Sequence, residues 1–324
     1  TLTISDGSSE IGTVTVSADG TWSFATSSLT NAAHSFTAFQ TDAVGNASAV
    51  SAPARTISSL QMAALYGANG TDDDGIKATA SQYGADGISD INTAAKASLL
   101  NDVIDKLPTT AVDTHAKIVA LAAIVKSIFA TAAGEVVVPA LTPQDLAALG
   151  ITGVDAENID SVIAAIAGTA DNGSGVDSLD KLTTLVDAAL AASRAAFAVI
   201  SGYDGSNTIP GEADFTTVAV SGVSTSNISS VNSVLAVPTA TVTDSRAEVQ
   251  SIVNTYVAIL NAADGTANSG LALTAANYQN IGLTDITSSS RANLFSSILD
   301  SNVDSAVDTY SELQILVCSF RSAI

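Results

Sequence analysis

A single cysteine, Cys318, stands in 324 residues, so no intramolecular disulfide framework and no cysteine-based zinc site can form. A lone catalytic cysteine needs a histidine partner, and only His34 and His115 are present, both far upstream. Cys318 reads instead as a small apolar residue on a helix face in Val317-Cys318-Ser319-Phe320. Basic residues are equally scarce: 11 Lys plus Arg face 32 Asp plus Glu, for a formal charge of −21. Such a chain has no electrostatic footprint for nucleic acid or anionic lipid. Charged residues total 13%, about half the usual ~25% share, and aromatics 5%. Long uncharged apolar runs are missing too. The most apolar stretch, Ile118 to Ala133, is broken by Lys126 and falls short of the ~18 residues of a span, so it reads as a core helix. Neither a signal peptide nor a phosphate loop, His-Glu-x-x-His motif or serine nucleophile elbow is visible.

Much remains to build a core. Apolar residues make up 47% of the chain and its mean hydropathy is +0.36, which argues against disorder despite the acidity. With aromatics rare, that content is mostly Ala, Val, Ile and Leu, which suits thin helical layers. The length points to two or more domains.

Residues 1–57 read as strands. Thr13-Val14-Thr15-Val16-Ser17 and Thr21-Trp22-Ser23-Phe24 alternate with period two, and Asp19-Gly20 between them is a hairpin turn signal. Ala33 to Phe39 forms a third alternating run, Thr41 to Asn46 a turn, and Ala49 to Ile57 a last strand. Trp22 is expected in the core of this module, and His34 at an exposed or edge position. Asp6, Asp42 and Asn46 sit in turns and offer the oxygen ligands that Ca²⁺ takes; their alternative role is to bond their own backbone.

The blocks Asp19-Gly20-Thr21-Trp22-Ser23-Phe24, Ala33-His34-Ser35-Phe36-Thr37-Ala38 and Thr41-Asp42-Ala43-Val44-Gly45-Asn46-Ala47-Ser48 resemble bacterial Ig-like modules of giant type I-secreted adhesins. The resemblance implies an all-β sandwich, incomplete at its start, in an extracellular chain of tandem, often calcium-stiffened modules. The exposed edges of an incomplete sandwich call for a strand or helix from a neighbouring subunit.

From residue 58 the periodicity becomes helical and the sequence repeats itself. An aromatic or Leu precedes a small residue by four: Tyr83/Gly87, Leu146/Gly150, Phe215/Ala219 and Tyr278/Gly282. Aliphatic pairs follow at Ile88/Ile91, Ile151/Val154, Val220/Val223 and Leu283/Ile286. An Asp followed by a hydroxyl recurs at Asp113, Asp177, Asp244 and Asp308, spaced by 64, 67 and 64 residues. Two independent markers on one period mark a repeat. Each copy is expected to hold a short helix, stopped by the small residue, and two longer ones. The third helix starts at the Asp-Ser/Thr pair, with capping boxes Ser245-x-x-Glu248 and Thr309-x-x-Glu312. Leu141-Thr142-Pro143-Gln144-Asp145-Leu146 through Val154 is similar to repeats that accompany Ig-like modules in large secreted bacterial proteins.

The expected organisation is a β module at 1–57 followed by all-α repeats of about 65 residues at 58–134, 135–205, 206–265 and 266–324, the last cut within its third helix. Linkers of roughly ten residues lean towards discrete bundles. Ser178-x-x-Lys181 resembles a penicillin-binding motif, but the hydroxyl recurs in the other copies as a helix cap. Asp72-Asp73-Asp74-Gly75 lacks EF-hand spacing. These features point to a non-enzymatic, cofactor-free structural or adhesive protein of a bacterial surface that associates with itself or with neighbouring modules. The alternative is a ligand-binding adhesin segment, for which Tyr66, Tyr203 and Tyr310 are the candidate exposed aromatics.

Overall fold

In the computed structural model, residues 1–27, 29, 33–58, 67–68, 77–237, 243–267 and 270–323 are described. Tyr66 and Asp72-Asp73-Asp74-Gly75 lie outside them.

The N-terminal part is a four-stranded antiparallel sheet in the order β2-β1-β3-β4. Its strands are β1 (Leu2–Asp6), β2 (Ser9–Val14), β3 (His34–Gln40) and β4 (Arg55–Ile57). The central strand β1 pairs with β2 on one side and β3 on the other, and its Leu-Thr-Ile-Ser-Asp alternation buries Ile4. The pairing with β2 shifts register between Ile4 and Ser5.

Four expectations for this module change. The turn at Asp19-Gly20 forms, with Asp19 Oδ1 accepting from Thr21 N–H at 3.0 Å, but Thr21 to Phe24 joins no ladder. Instead the Phe24 ring lies over Gly12, where a Cβ would come within 2.6 Å of Cζ. Trp22 is 47% exposed rather than a core residue, because the described residues hold one sheet layer and no second face to bury it against. His34 is buried rather than exposed, pinned by Asp6 across the β1–β3 pair. The last strand is also shorter than Ala49 to Ile57. Ser51 N–H still donates to Ala38 O at 2.8 Å, and ladder pairing resumes only at Arg55.

The rest of the described chain is helical. Its elements are α1 (Ala80–Ala85), α2 (Ala94–Lys106), α3 (Thr109–Val112), α4 (His115–Ala132), α5 (Pro143–Ala148), α6 (Ile159–Ala167) and α7 (Leu179–Ser201). Then come α8 (Glu212–Thr217), α9 (Ile228–Leu235), α10 (Arg246–Ala262), α11 (Ala275–Asn280), α12 (Ser289–Asp300), a 3₁₀ turn and α13 (Tyr310–Ala323). Contacts divide the chain into one unit of residues 1–152 and 166–184 and another of 153–165 and 185–324, so both α6 and α7 contribute to each.

The short helices α1, α5, α8 and α11 share one design. Thr79, Thr142 and Thr274 cap their first turns, and their own N–H groups donate back to side-chain oxygens of Gln82, Asp145 and Asn277. At α8 the cap is Gly211, and only the return bond to Asp214 remains. All four close in a Schellman motif: Ile88, Ile151, Val220 and Leu283 N–H donate to Tyr83, Leu146, Phe215 and Tyr278 O at 2.8, 3.0, 2.8 and 2.9 Å. The motif needs a left-handed residue, supplied by Gly87, Gly150 and Gly282 and, unusually, by Ala219 at φ 55°. Tyr83, Leu146, Phe215 and Tyr278 are wholly buried, so the sequence marker is a core position. Burial raises the Tyr83 hydroxyl's pKa, and it donates to Asn101 at 2.9 Å.

In the second unit one hydrophobic cluster runs from Ala196 to Phe320 and joins Phe215, Tyr256, Tyr278, Phe295 and Phe320. The lean towards discrete bundles does not hold there, because α8 to α13 share this core. Helices α4 and α7 have the length and apolarity of a membrane span, and α4 buries Ile118, Leu121, Val125 and Ile128 in the protein.

Candidate functional site

The first unit holds a cleft of about 870 Å³. One wall is the start of β3 and the whole of β4; the other is Asp86, at the end of α1, and Asp113 to His115, at the start of α4. It therefore brings together both histidines of the chain, which the sequence separates by 81 positions.

His34 Nδ1 lies 2.5 Å from Asp6 Oδ2, and Asp6 Oδ1 accepts from Ser35 N–H at 2.8 Å. The His34 bond first, and the Ser35 N–H second, hold the Asp6 carboxyl below its ordinary value of 3.8. His34 also stacks on Phe36, two residues along the same strand face, with centroids 6.0 Å apart. Across the cleft, Asp113 is paired with Lys117 at 2.7 Å, while Asp86 Oδ2 is buried with no hydrogen-bond partner. Arg55 on β4 is exposed. The cleft thus mixes an apolar lining from Pro53, Ala54 and Ile57 with a guanidinium and carboxylates. It can hold a ligand by hydrogen bonds and charge, whereas no described nucleophile and base are paired there.

A depressed carboxyl contributes stability above its ordinary range and loses it as pH falls through the lowered value. Native Ser35 amide protection should accordingly fall only below the pH at which free carboxylates titrate. Asp6→Asn should remove that acid-dependent step. Amide exchange of Ser35 measured against pH checks this, and an unchanged profile in Asp6→Asn would count against the coupling.

The candidate calcium ligands do not converge. Asp6 ends β1 beside Phe36, whereas Asp42 and Asn46 lie beyond the opposite end of that strand, past the Leu2–Gln40 pair. Asp42 Oδ1 accepts from Val44 and Asn46 N–H at 2.9 and 2.8 Å, and Oδ2 from Asn46 Nδ2 at 2.9 Å. The turn role is the one these bonds fill. Among the described residues no three His, Cys, Asp or Glu side chains are grouped to hold a metal. Ser178 caps α7, accepting from Lys181 N–H at 3.3 Å, and Lys181 Nζ reaches back to Asp177 at 2.7 Å and to Ser174 O at 3.0 Å. Lys117 repeats this arrangement on Asp113 and Thr110 O at 2.7 and 2.6 Å. Of the candidate tyrosines, Tyr310 is buried with its hydroxyl on Gly282 O at 3.0 Å, and Tyr203 is half-buried. Cys318 is exposed on α13.

Two features escaped the sequence reading. Asp86 occupies the C-cap of α1 where α5, α8 and α11 carry the buried Leu149, Val218 and Ile281, and this break in the pattern was visible in the aligned copies. The other carries no sequence signal. The first amide of each later third helix is bonded by a side chain from the stretch expected as the preceding copy. Leu179 N–H donates to Asp102 Oδ2 at 3.2 Å, Arg246 N–H to Glu157 Oε2 at 2.8 Å and Tyr310 N–H to Ser233 Oγ at 2.9 Å. These amides are orphan donors of helix N-termini. The Arg246 side chain adds a 2.7 Å ion pair to Asp160.

No family model, no curated protein and no solved structure matches this chain.

Proposed function

We propose that the chain is an extracellular structural segment of a bacterial surface protein: an Ig-like β module at 1–57 followed by four copies of a three-helix repeat, acting as a stalk or head-to-tail fibre subunit. The observation that carries this reading is the run of bonds at Leu179, Arg246 and Tyr310, each of which ties one copy's third helix to the copy before it. With the common core beneath α8 to α13, they make neighbouring copies mechanically dependent on each other, as a spacer requires. Such a segment needs neither catalytic residues nor a cofactor, and its partners are other modules or further copies of itself. Negative-stain imaging and size-exclusion chromatography test it. Elongated monomers support a stalk, filaments a fibre, and compact globules would count against both.

The cleft between β4 and α4 favours a second reading, a ligand-binding adhesin segment, since Arg55 and Asp86 face an open groove. A glycan and peptide array separates the two: specific binding lost in Arg55→Ala would favour the adhesin. Calcium stiffening of the β module enters the same comparison. It predicts a rise in unfolding midpoint on adding Ca²⁺ that Asp42→Ala removes.

A further inference from the structure

We propose that the outer face of α12 and α13 is a docking surface for one more repeat of the same design. The inference rests on the four-copy reading above. In the third copy the corresponding face is already occupied. Ser233 of α9 bonds the first amide of α13, and Ser251 of α10 accepts from Asn280 Nδ2 of α11 at 2.8 Å. Ser230 and Thr255, on the same two helices, are 7% and 2% exposed. The face of α10 that bears Ser251 and Thr255 also bears Arg246 and Gln250, and it looks onto Leu273 and Asn277 of the following copy.

Moving 64 residues along, the spacing of Asp244 and Asp308, places the fourth copy in register. Ser230 becomes Leu294, 48% exposed; Ser251 becomes Ile315, 64% exposed; Thr255 becomes Ser319, also exposed. Ser233 becomes Ser297, exposed and still a hydroxyl that can accept from a helix's first amide. The fourth copy thus leaves bare the surface that its predecessor covers, and two large aliphatic side chains stand on it. Two exposed aliphatics alone are ordinary on a surface; what marks this face is that the equivalent positions one copy earlier are covered.

The first repeat tells against a second copy of the chain as occupant. Helices that dock on a preceding copy carry Leu149, Val218 or Ile281 at the C-cap, whereas α1 carries Asp86 and has the sheet's β4 beside it. A carboxylate at that C-cap, where Ile281 is wholly buried, would be desolvated without a partner, which disfavours that pairing. The occupant is therefore a short capped helix with an aliphatic C-cap, followed by a third helix whose first amide meets Ser297.

A chain extended by residues 261–324 repeated after Ile324 continues this register. With every Cys318 replaced by serine, Ser319→Cys in the original fourth copy reports on the face. Thiol labelling should be at least about tenfold slower in the five-copy chain than in the four-copy one, because labelling then waits on local opening. Ile315→Asp in the original copy should restore the fast rate. Equal labelling, with helicity raised by a fifth copy's share, would overturn the docking surface while leaving the repeat reading intact. No gain in helicity would overturn both. Slow labelling of the four-copy chain, with sedimentation as a dimer, would make a second copy the occupant and overturn the proposal.

Discussion

Phe215→Ala is expected to destabilise the second unit by about 3–5 kcal/mol, the range for removing a fully buried aromatic side chain. Phe215 is wholly buried and belongs to the cluster that also holds Tyr256, Tyr278 and Phe295. No described polar partner would survive it, so the loss is one of apolar burial and cavity formation. Because that cluster is continuous from Ala196 to Phe320, α8 to α13 should weaken together rather than one bundle at a time. Denaturant unfolding followed by helical circular dichroism and by amide exchange at Tyr256 and Phe295 would show this. Exchange accelerating in α8 and α9 alone, with Phe295 unaffected, would mean that the copies hold separate cores.

The second large effect has opposite signs at equivalent positions. Ala219 stands at φ 55°, where an L side chain is strained by roughly 1–2 kcal/mol, partly offset by the extra freedom of glycine in the unfolded chain. Ala219→Gly should therefore stabilise by up to about 1 kcal/mol, an unusual gain for a mutation to glycine. Gly150 occupies the same Schellman position at φ 85°, with no atom within 4 Å of where a Cβ would stand. Gly150→Ala should cost about 1 kcal/mol through backbone strain alone. Paired thermal and urea denaturation of the two variants decides it. If both shift stability in the same direction, the left-handed geometry is not what fixes these turns.

Much of the helical architecture was legible because its signals are local. Thr142-Pro143 and Gly150 bound a six-residue helix by capping chemistry that acts within one turn. The Asp-Ser/Thr pairs start α4, α7, α10 and α13 for the same reason, and capping explains Ser178 without catalysis. The β module was less legible. Trp22 and Phe24 alternate as a strand would, yet whether an alternating run pairs depends on a partner far away in sequence. Leu2–Asp6, the central strand, was not singled out at all, since its importance lies in pairing with both Ser9–Val14 and His34–Gln40.

The candidate sites divide in the same way. Asp42 and Asn46 form the local turn that their spacing allows, and Asp6 is taken by His34, 28 residues on. The cleft joining His34 and His115 could not be read from either neighbourhood.

By itself the sequence determined where many of the helices start and stop and which side chains of the short helices α1, α5, α8 and α11 are interior. Those properties follow from hydrogen bonds and side-chain periodicity within a few residues. Tertiary structure alone decided that α8 to α13 share a core and that the first amides of α7, α10 and α13 are bonded from far upstream. It alone decided which face of α12 and α13 is left uncovered. The reason is geometric: a partner 77 or 89 residues away leaves no trace in local periodicity, and only packing brings it within hydrogen-bond reach.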